Sequence, residues 1–359
     1  MALMGFASPS GGIGGTGIRR GGIGGTGVSA LGVIQKFGSI FVNGTEYLLL
    51  PATRYWRDGH PVQERRLRRG DAIFITGTQT STRSVALDVR VQHALIGLVQ
   101  AVHARGLRLR ILGQTVYVGR DTLTRFTRSH HGQSLRAGMD VAVSALARAP
   151  GQWQATRVAL AHTHPSAPQT FLMRGSLRMV GRHALALGNR LFVFAGRRPI
   201  SAQVGDYVVA RGYYRSGHAV VTRVRPSAGL DNAVGPEILV TGYLRLVRGH
   251  LRYEGRTLRQ GADLSIVAGR HPAFFIIRRD AAGHLTIVHV TPHVDIMHYG
   301  LDAPRIPIID PDHPGSAHKG RGTHPSGPPP ITIPIINHPP MAPAPTFSMP
   351  PVMRPSLSR

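Results

Sequence analysis

Four segments of the chain open alike, and this internal repetition limits the fold more than any other feature of the sequence. They are Gly32-Val-Ile-Gln-Lys-Phe37, Gly97-Leu-Val-Gln-Ala-Val102, Gly175-Ser-Leu-Arg-Met-Val180 and Gly242-Tyr-Leu-Arg-Leu-Val247, with starts 65, 78 and 67 residues apart. About a dozen residues after each opening comes a hairpin signal: Asn43-Gly44, Gly113-Gln114, Gly188-Asn189 and Glu254-Gly255. Residues that tolerate positive φ, set between alternating apolar runs, are what a tight antiparallel turn requires.

A third element recurs at Leu67–Gly77, Leu135–Val143 and Gln203–Gly212, each a turn glycine followed by an alternating strand. In the last segment Leu264–Val267 and Phe274–Ile277 must serve instead. Valine-rich strands then close the units at Ala86–Val91, Ala155–Leu160, Ala219–Val224 and Leu285–Val290. The period is two throughout: Leu107, Leu109 and Ile111 are expected on one face, Arg108 and Arg110 on the other. Only residues 61–70 suggest a short helix. About five strands per unit fit a small closed barrel of the OB type, which also removes the exposed edges of a lone sheet. The expected fold is therefore all-β, a tandem array of four small OB-like β-barrel repeats over 31–95, 96–165, 170–228 and 237–294.

The flanks read differently. Residues 1–30 hold Gly11–Gly17 and its copy Gly21–Gly27, a flexible Gly-rich leader with little to bury. Gly12–Gly17 superficially resembles a phosphate loop, but no strand precedes it and no lysine or helix follows. Residues 295–359 form a Pro-rich tail, with 16 of the 27 prolines beyond residue 303. Proline fixes φ and lacks an amide donor, so extended, disordered chain is expected there.

The leader repeat, the run Gly32–Gly44 and Leu109–Val116 together resemble the domain-of-unknown-function 5666 family. The resemblance is specific over residues 11–160, weaker over 170–292, and does not reach the tail. It implies exported or lipid-anchored bacterial proteins made of repeated small β-barrels, with a periplasmic or cell-envelope location. It brings no catalytic residues.

The chain has no cysteine, which excludes disulfides and thiolate chemistry, and no apolar run long enough for a transmembrane helix. Met1–Ser10 lack the basic start and apolar core of a signal peptide, so an envelope location expects an export signal encoded upstream. A cytoplasmic location is the alternative. With 43 Lys+Arg against 17 Asp+Glu, the net charge is +26, a field that attracts polyanions.

Residue patterns point to binding rather than catalysis. Asp71, Asp140 and Asp206 recur at equivalent turn positions, as loop-fixing residues do, whereas an acid–base pair would occur once. The histidines His289, His293 and His298, His130-His131, and His162 with His164 have no carboxylate or cysteine partners at ligand spacing, so no metal or other cofactor is expected. Candidate ligand-binding residues are Tyr55, Trp56 and Arg57, the Arg108/Arg110 strand face, and Arg211, Tyr213, Tyr214 and Arg215, which combine cations with stacking surfaces. The expected function is a non-enzymatic cell-envelope binding or scaffold protein that presents a basic β-surface to anionic polymers or a protein partner. A single-stranded nucleic-acid binder of tandem OB type is the alternative.

Overall fold

A computed structural model describes residues 26–80, 83–103, 107–125, 135–161, 169–181, 184–194, 202–261 and 269–301. These residues are almost all β, and their only helical turns are single 3-10 turns at Glu64–Arg66 and Leu230–Asn232. The leader up to residue 25, with its phosphate-loop-like string, and the tail from residue 302 lie outside the described residues. So do Leu264–Val267, His130, His131, His162 and His164.

The second segment shows the architecture most plainly. Its strands are β8 (Leu95–His103), β9 (Arg108–Ile111), β10 (Gln114–Arg125), β11 (Asp140–Ala149) and β12 (Gln152–Leu160). Antiparallel pairs β8–β9 and β9–β10 lead to a parallel pair β10–β12, and β11 then returns through β12 to β8. The result is a closed five-stranded barrel. In the third segment, β13 (Thr170–Val180), β14 (Ala184–Leu187), β15 (Arg190–Phe194), β16 (Tyr207–Arg215) and β17 (His218–Pro226) follow the same path.

The first and last segments repeat that order with the opening strand broken in two. The first comprises β1 (Thr26–Val33), β2 (Lys36–Phe37), β3 (Ile40–Val42), β4 (Thr45–Arg57), β5 (His60–Pro61), β6 (Ala72–Gln79) and β7 (Ser84–Val91). The last comprises β18 (Glu237–Gly242), β19 (Arg245–Val247), β20 (His250–Tyr253), β21 (Arg256–Gln260), β22 (Ala273–Arg279) and β23 (Leu285–Thr291).

Local chemistry accounts for these elements. Period-two burial is visible in β9 and β20, where exposed arginine or histidine alternates with buried Leu109, Ile111, Leu251 and Tyr253. Leu107, expected on the core face, is exposed instead, because it precedes β9 at the rim of the barrel. The hairpins place Asn43 and Gly44, and Glu254 and Gly255, at positive φ. In the second segment the pair is Leu112-Gly113, one residue earlier than the sequence suggests, because Gln114 already pairs with Ile111. The opening glycine has a packing reason: a Cβ on Gly32 would overlap the Asn43 amide oxygen, and one on Gly242 would crowd the Tyr253 ring.

The closing strand of each unit is bulged against the strand before it, with Leu87, Thr156, Thr222 and Val288 as the extra residues, which supplies the coiling a narrow barrel needs. Two third strands share another device. Thr53 Oγ1 donates to Ala86 O at 2.8 Å and accepts from Leu50 N, and Thr122 Oγ1 does the same with Ala155 O and Gly119 N. The helix expected over 61–70 shrinks to one turn, since Leu67 already has extended backbone.

The segments are not strung out in line. β1 pairs in parallel with β18, from Val28↔Glu237 to Leu31↔Val240, and so joins the first segment to the last. Ser29 Oγ donates to Val234 O and accepts from Val234 N across that seam. Leu172 and Met173 of β13 pair with Ile96 and Leu95 of β8. Val33, Leu146, Tyr243 and Met297 form a separate apolar cluster where the first, second and fourth segments meet.

Two boundaries shift as a result. β1 begins at Thr26, inside the expected leader, because its amides find partners in β6 and β18. Residues 295–301, expected as tail, pack down: Met297 is buried, Tyr299 stacks on Phe274 at 5.1 Å, and Gln35 Nε2 donates to Tyr299 O at 2.8 Å.

At the contact of the third and fourth segments sits Glu254, with Tyr253, Tyr207, Arg174 and Asp231 around it. Burial pushes its carboxyl up from 4.5 to about 7, against the opposing pull of Arg174. The folded state thus holds a proton that the unfolded chain releases above about 4.5, so this group's contribution to stability falls as pH rises from about 4.5 to about 7. Glu254→Gln is therefore expected to gain in melting temperature relative to the parent as pH rises from 5 to 8. A difference between the two that does not vary with pH would refute the assignment.

Candidate functional site: a cationic cleft between barrels

The β4–β5 hairpin carries the first wall of a cleft between the first and third segments. Asp58 and Gly59 adopt the paired positive φ of a tight turn (+50° and +85°), which swings Arg57, Asp58 and His60 toward the third barrel. The opposite wall is Thr170, Phe171 and Leu172 of β13 with Arg211, Gly212 and Thr222 of β16 and β17, and Ile96 forms part of the floor. The space enclosed is about 500 Å³.

Behind the first wall lies a buried ionic network. Asp58 accepts from His93 Nδ1 at 2.6 Å, from His93 N at 2.9 Å and from Arg174 Nη2 at 3.3 Å. Arg174 also donates to His93 O at 2.8 Å and to Ser227 Oγ. Burial alone would raise the Asp58 carboxyl, but His93, Arg174 and the His93 amide outweigh it and hold the group well below the ordinary carboxylate range. Arg57 Nη1 approaches His93 Nε2 at 3.2 Å. Arg57 further donates to Asp71 Oδ2 at 2.8 Å and to Arg66 O at 2.6 Å. Both ring nitrogens of His93 and both oxygens of Asp58 are thereby engaged.

Arg211 is different. Its guanidinium donates to the Asp58 carbonyl and meets His60 Nε2 at 3.3 Å, with no carboxylate in contact. On β17, Arg223 stands directly opposite it in register, and Arg225 lies close by. Burial and then Arg174, Arg223 and Arg225 lower the Arg211 pKa, and only Asp58 opposes them. Like charges set opposite across a strand pair repel, so this lip of the cleft is short of negative charge.

Of the residues singled out in the sequence, the cleft brings together Arg57 and Arg211 and not the others. Tyr55 gives its hydroxyl to Glu64 Oε2 at 3.2 Å, and burial with Glu64 pushes that hydroxyl up to about 12. Trp56 donates Nε1 to Asp88 at 3.1 Å, and Arg90 covers its ring 5.4 Å from the centroid. Tyr214 is a packing residue: its ring meets Phe171 edge-on at 5.7 Å and its hydroxyl accepts from Leu98 N. Tyr214 is half-buried, as Tyr213 is, and Arg108, Arg110 and Arg215 are exposed elsewhere.

Sequence reasoning missed Asp58, His60, His93 and Arg174. Two signals were there to be read: the turn dipeptide Asp58-Gly59, and an arginine before Gly175 where the other openings have Leu31, Ile96 and Thr241. The recurring aspartates act at turns in two units, Asp71 accepting from Arg68 N and Asp206 from Gln203 N. His289 bonds Thr291 and His298 bonds Asp295, while His293 packs its ring 4.7 Å from that of His271. No helix among the described residues is long and apolar enough to cross a membrane.

No curated protein matches the chain. Residues 96–159, which run from β8 through β12, match the family described as Domain of unknown function (DUF5666), so the closed second barrel is where this chain is similar to that family.

Proposed function

We propose that the chain is a non-enzymatic binding or scaffold protein of the cell envelope, built of four OB-like barrels, that holds an anionic polymer at the cleft between its first and third barrels. The observation that carries this reading is the Arg211–Arg223 pair at the lip, two cations in register with no carboxylate against Arg211. Phe171, Leu172, Ile96 and Val62 supply an apolar wall beside them, so a ligand with acidic groups on an apolar or ring backbone suits the cleft. The strand order supports the OB-like description, since the third and fifth strands of each unit run parallel and the fourth pairs with the fifth. The engaged nitrogens of His93 argue against acid–base work at this site.

The test is a salt titration of labelled polyanions, an acidic polysaccharide and single-stranded DNA, against the parent protein and Arg211→Gln. Expected is a roughly tenfold loss of polysaccharide affinity, with a shallower salt dependence because one fewer cation is neutralised. Unchanged affinity and slope in the variant would sink the proposal. Tighter binding of single-stranded DNA, weakened by Tyr213→Ala, would select the nucleic-acid reading instead, because Tyr213 is a half-exposed ring two residues from Arg211.

A further inference from the structure

Across β13, β14 and β15 the outward face of the third barrel is apolar where a solvated barrel is normally polar. Met179 on β13 pairs with Ala186 on β14, which pairs with Leu191 on β15, and Ala184 pairs with Val193 in the next row. Residues in register on adjacent strands leave the same side of a sheet. Met179, Leu191 and Val193 are 46%, 58% and 48% exposed, while the alternating Leu185, Leu187 and Phe192 fill the core. A bulge between Leu177 and Met179 leaves Arg178 exposed as well, at the margin of this face.

Arg178 is the near member of a second cation cluster. Arg245 on β19 stands directly opposite Arg252 on β20, and Arg178 acts on Arg245 across the contact with the fourth barrel. Among the described residues no carboxylate forms an ion pair with any of the three. Burial, then Arg252 and Arg178, lower the Arg245 pKa, so the cluster repels itself in the absence of a counter-charge. Leu246, beside Arg245, is 63% exposed.

We propose that this face docks on an anionic lipid bilayer. Met179, Leu191 and Val193 enter the boundary between headgroups and acyl chains, and Arg178, Arg245 and Arg252 meet the phosphates around them. The charge argues for lipid over a protein partner, since three adjacent unpaired arginines beside apolar rows match a surface that is anionic and extended, with an apolar interior beneath. The proposal uses none of the cleft residues.

The test is co-sedimentation of the full chain with vesicles of phosphatidylcholine alone or mixed with phosphatidylglycerol. Binding is expected only to the phosphatidylglycerol vesicles. Arg245→Gln with Arg252→Gln should weaken it roughly thirtyfold, at about fivefold per arginine. That pair removes repulsion, so folding is retained, as thermal unfolding would verify. Leu191→Thr with Val193→Thr should also abolish sedimentation, and Arg211→Gln should leave it intact, which separates this face from the cleft. No binding by the parent, equal binding to both vesicle types, or sedimentation unchanged in both double variants would each overturn the proposal. So would a dimer in vesicle-free solution that the Leu191/Val193 variant dissolves, because a second copy would then cover the face.

Discussion

Arg174→Ala is expected to destabilise the protein by about 3–5 kcal/mol, the range for removing one partner of a buried ion pair. Arg174 and Asp58 are both over nine-tenths buried at their side chains, and they are 116 residues apart in the chain. The guanidinium satisfies three acceptors at once: Asp58, the His93 carbonyl and Ser227 Oγ. Truncation removes one donor from each of the three, and the Asp58 carboxylate loses its fixed cation. The loss corresponds to a melting temperature lower by on the order of 10 °C, readable by thermal or urea unfolding.

A double variant, Asp58→Asn with Arg174→Met, isolates the coupling. It should recover part of the loss, because replacing both charges leaves no buried ion unpaired. The same network sets the acid limb of stability. A carboxyl held below its unfolded value of 3.8 contributes stability that is present above that pH and lost as pH falls through the folded value. Arg174→Ala should therefore flatten the pH dependence below about 4. A single variant within 1 kcal/mol of the parent would show that the network is not what ties the first barrel to the third.

Gly235→Ala carries the second large effect, about 2–5 kcal/mol. Gly235 sits at φ +79° beside the parallel seam of β1 and β18, and a Cβ there would overlap the Gly27 carbonyl. The left-handed backbone alone disfavours alanine by roughly 1–2 kcal/mol, and displacing a packed backbone adds about 1–3 kcal/mol. Forcing the strands apart also threatens the Ser29–Val234 hydrogen bonds at 3.0 and 2.8 Å. Gly217→Ala is the matched control: its φ is +75°, yet nothing lies within 4 Å of the added methyl. The two variants should differ by the overlap alone, so equal melting temperatures would mean that the seam yields freely. If the seam governs cooperativity, Gly235→Ala should also separate unfolding of the fourth barrel from the rest in calorimetry.

What the sequence determined by itself is the content of each unit. Period-two alternation, turn pairs such as Asn43-Gly44 and Glu254-Gly255, and the closing valine strands act over fewer than fifteen residues, so they can be read one segment at a time. The opening glycine was legible too, although its reason, the hairpin of its own barrel pressing on it, is a contact. The arrangement of the barrels was not legible. Val28 meets Glu237, Thr156 donates to Gly70 O and Gln35 reaches Tyr299, contacts made between positions that no local pattern links.

The cleft followed the same division. Arg57 and Arg211 stood out as basic residues beside aromatics, but Tyr55, Trp56 and Tyr214 were already committed to Glu64, Asp88 and the Phe171 core. A ring beside an arginine reads alike in sequence whether its face is open or packed. Only tertiary structure decides this, because burial depends on which distant strand lies against the ring, and that is set by how the segments pack together rather than by the residue's neighbours in the chain.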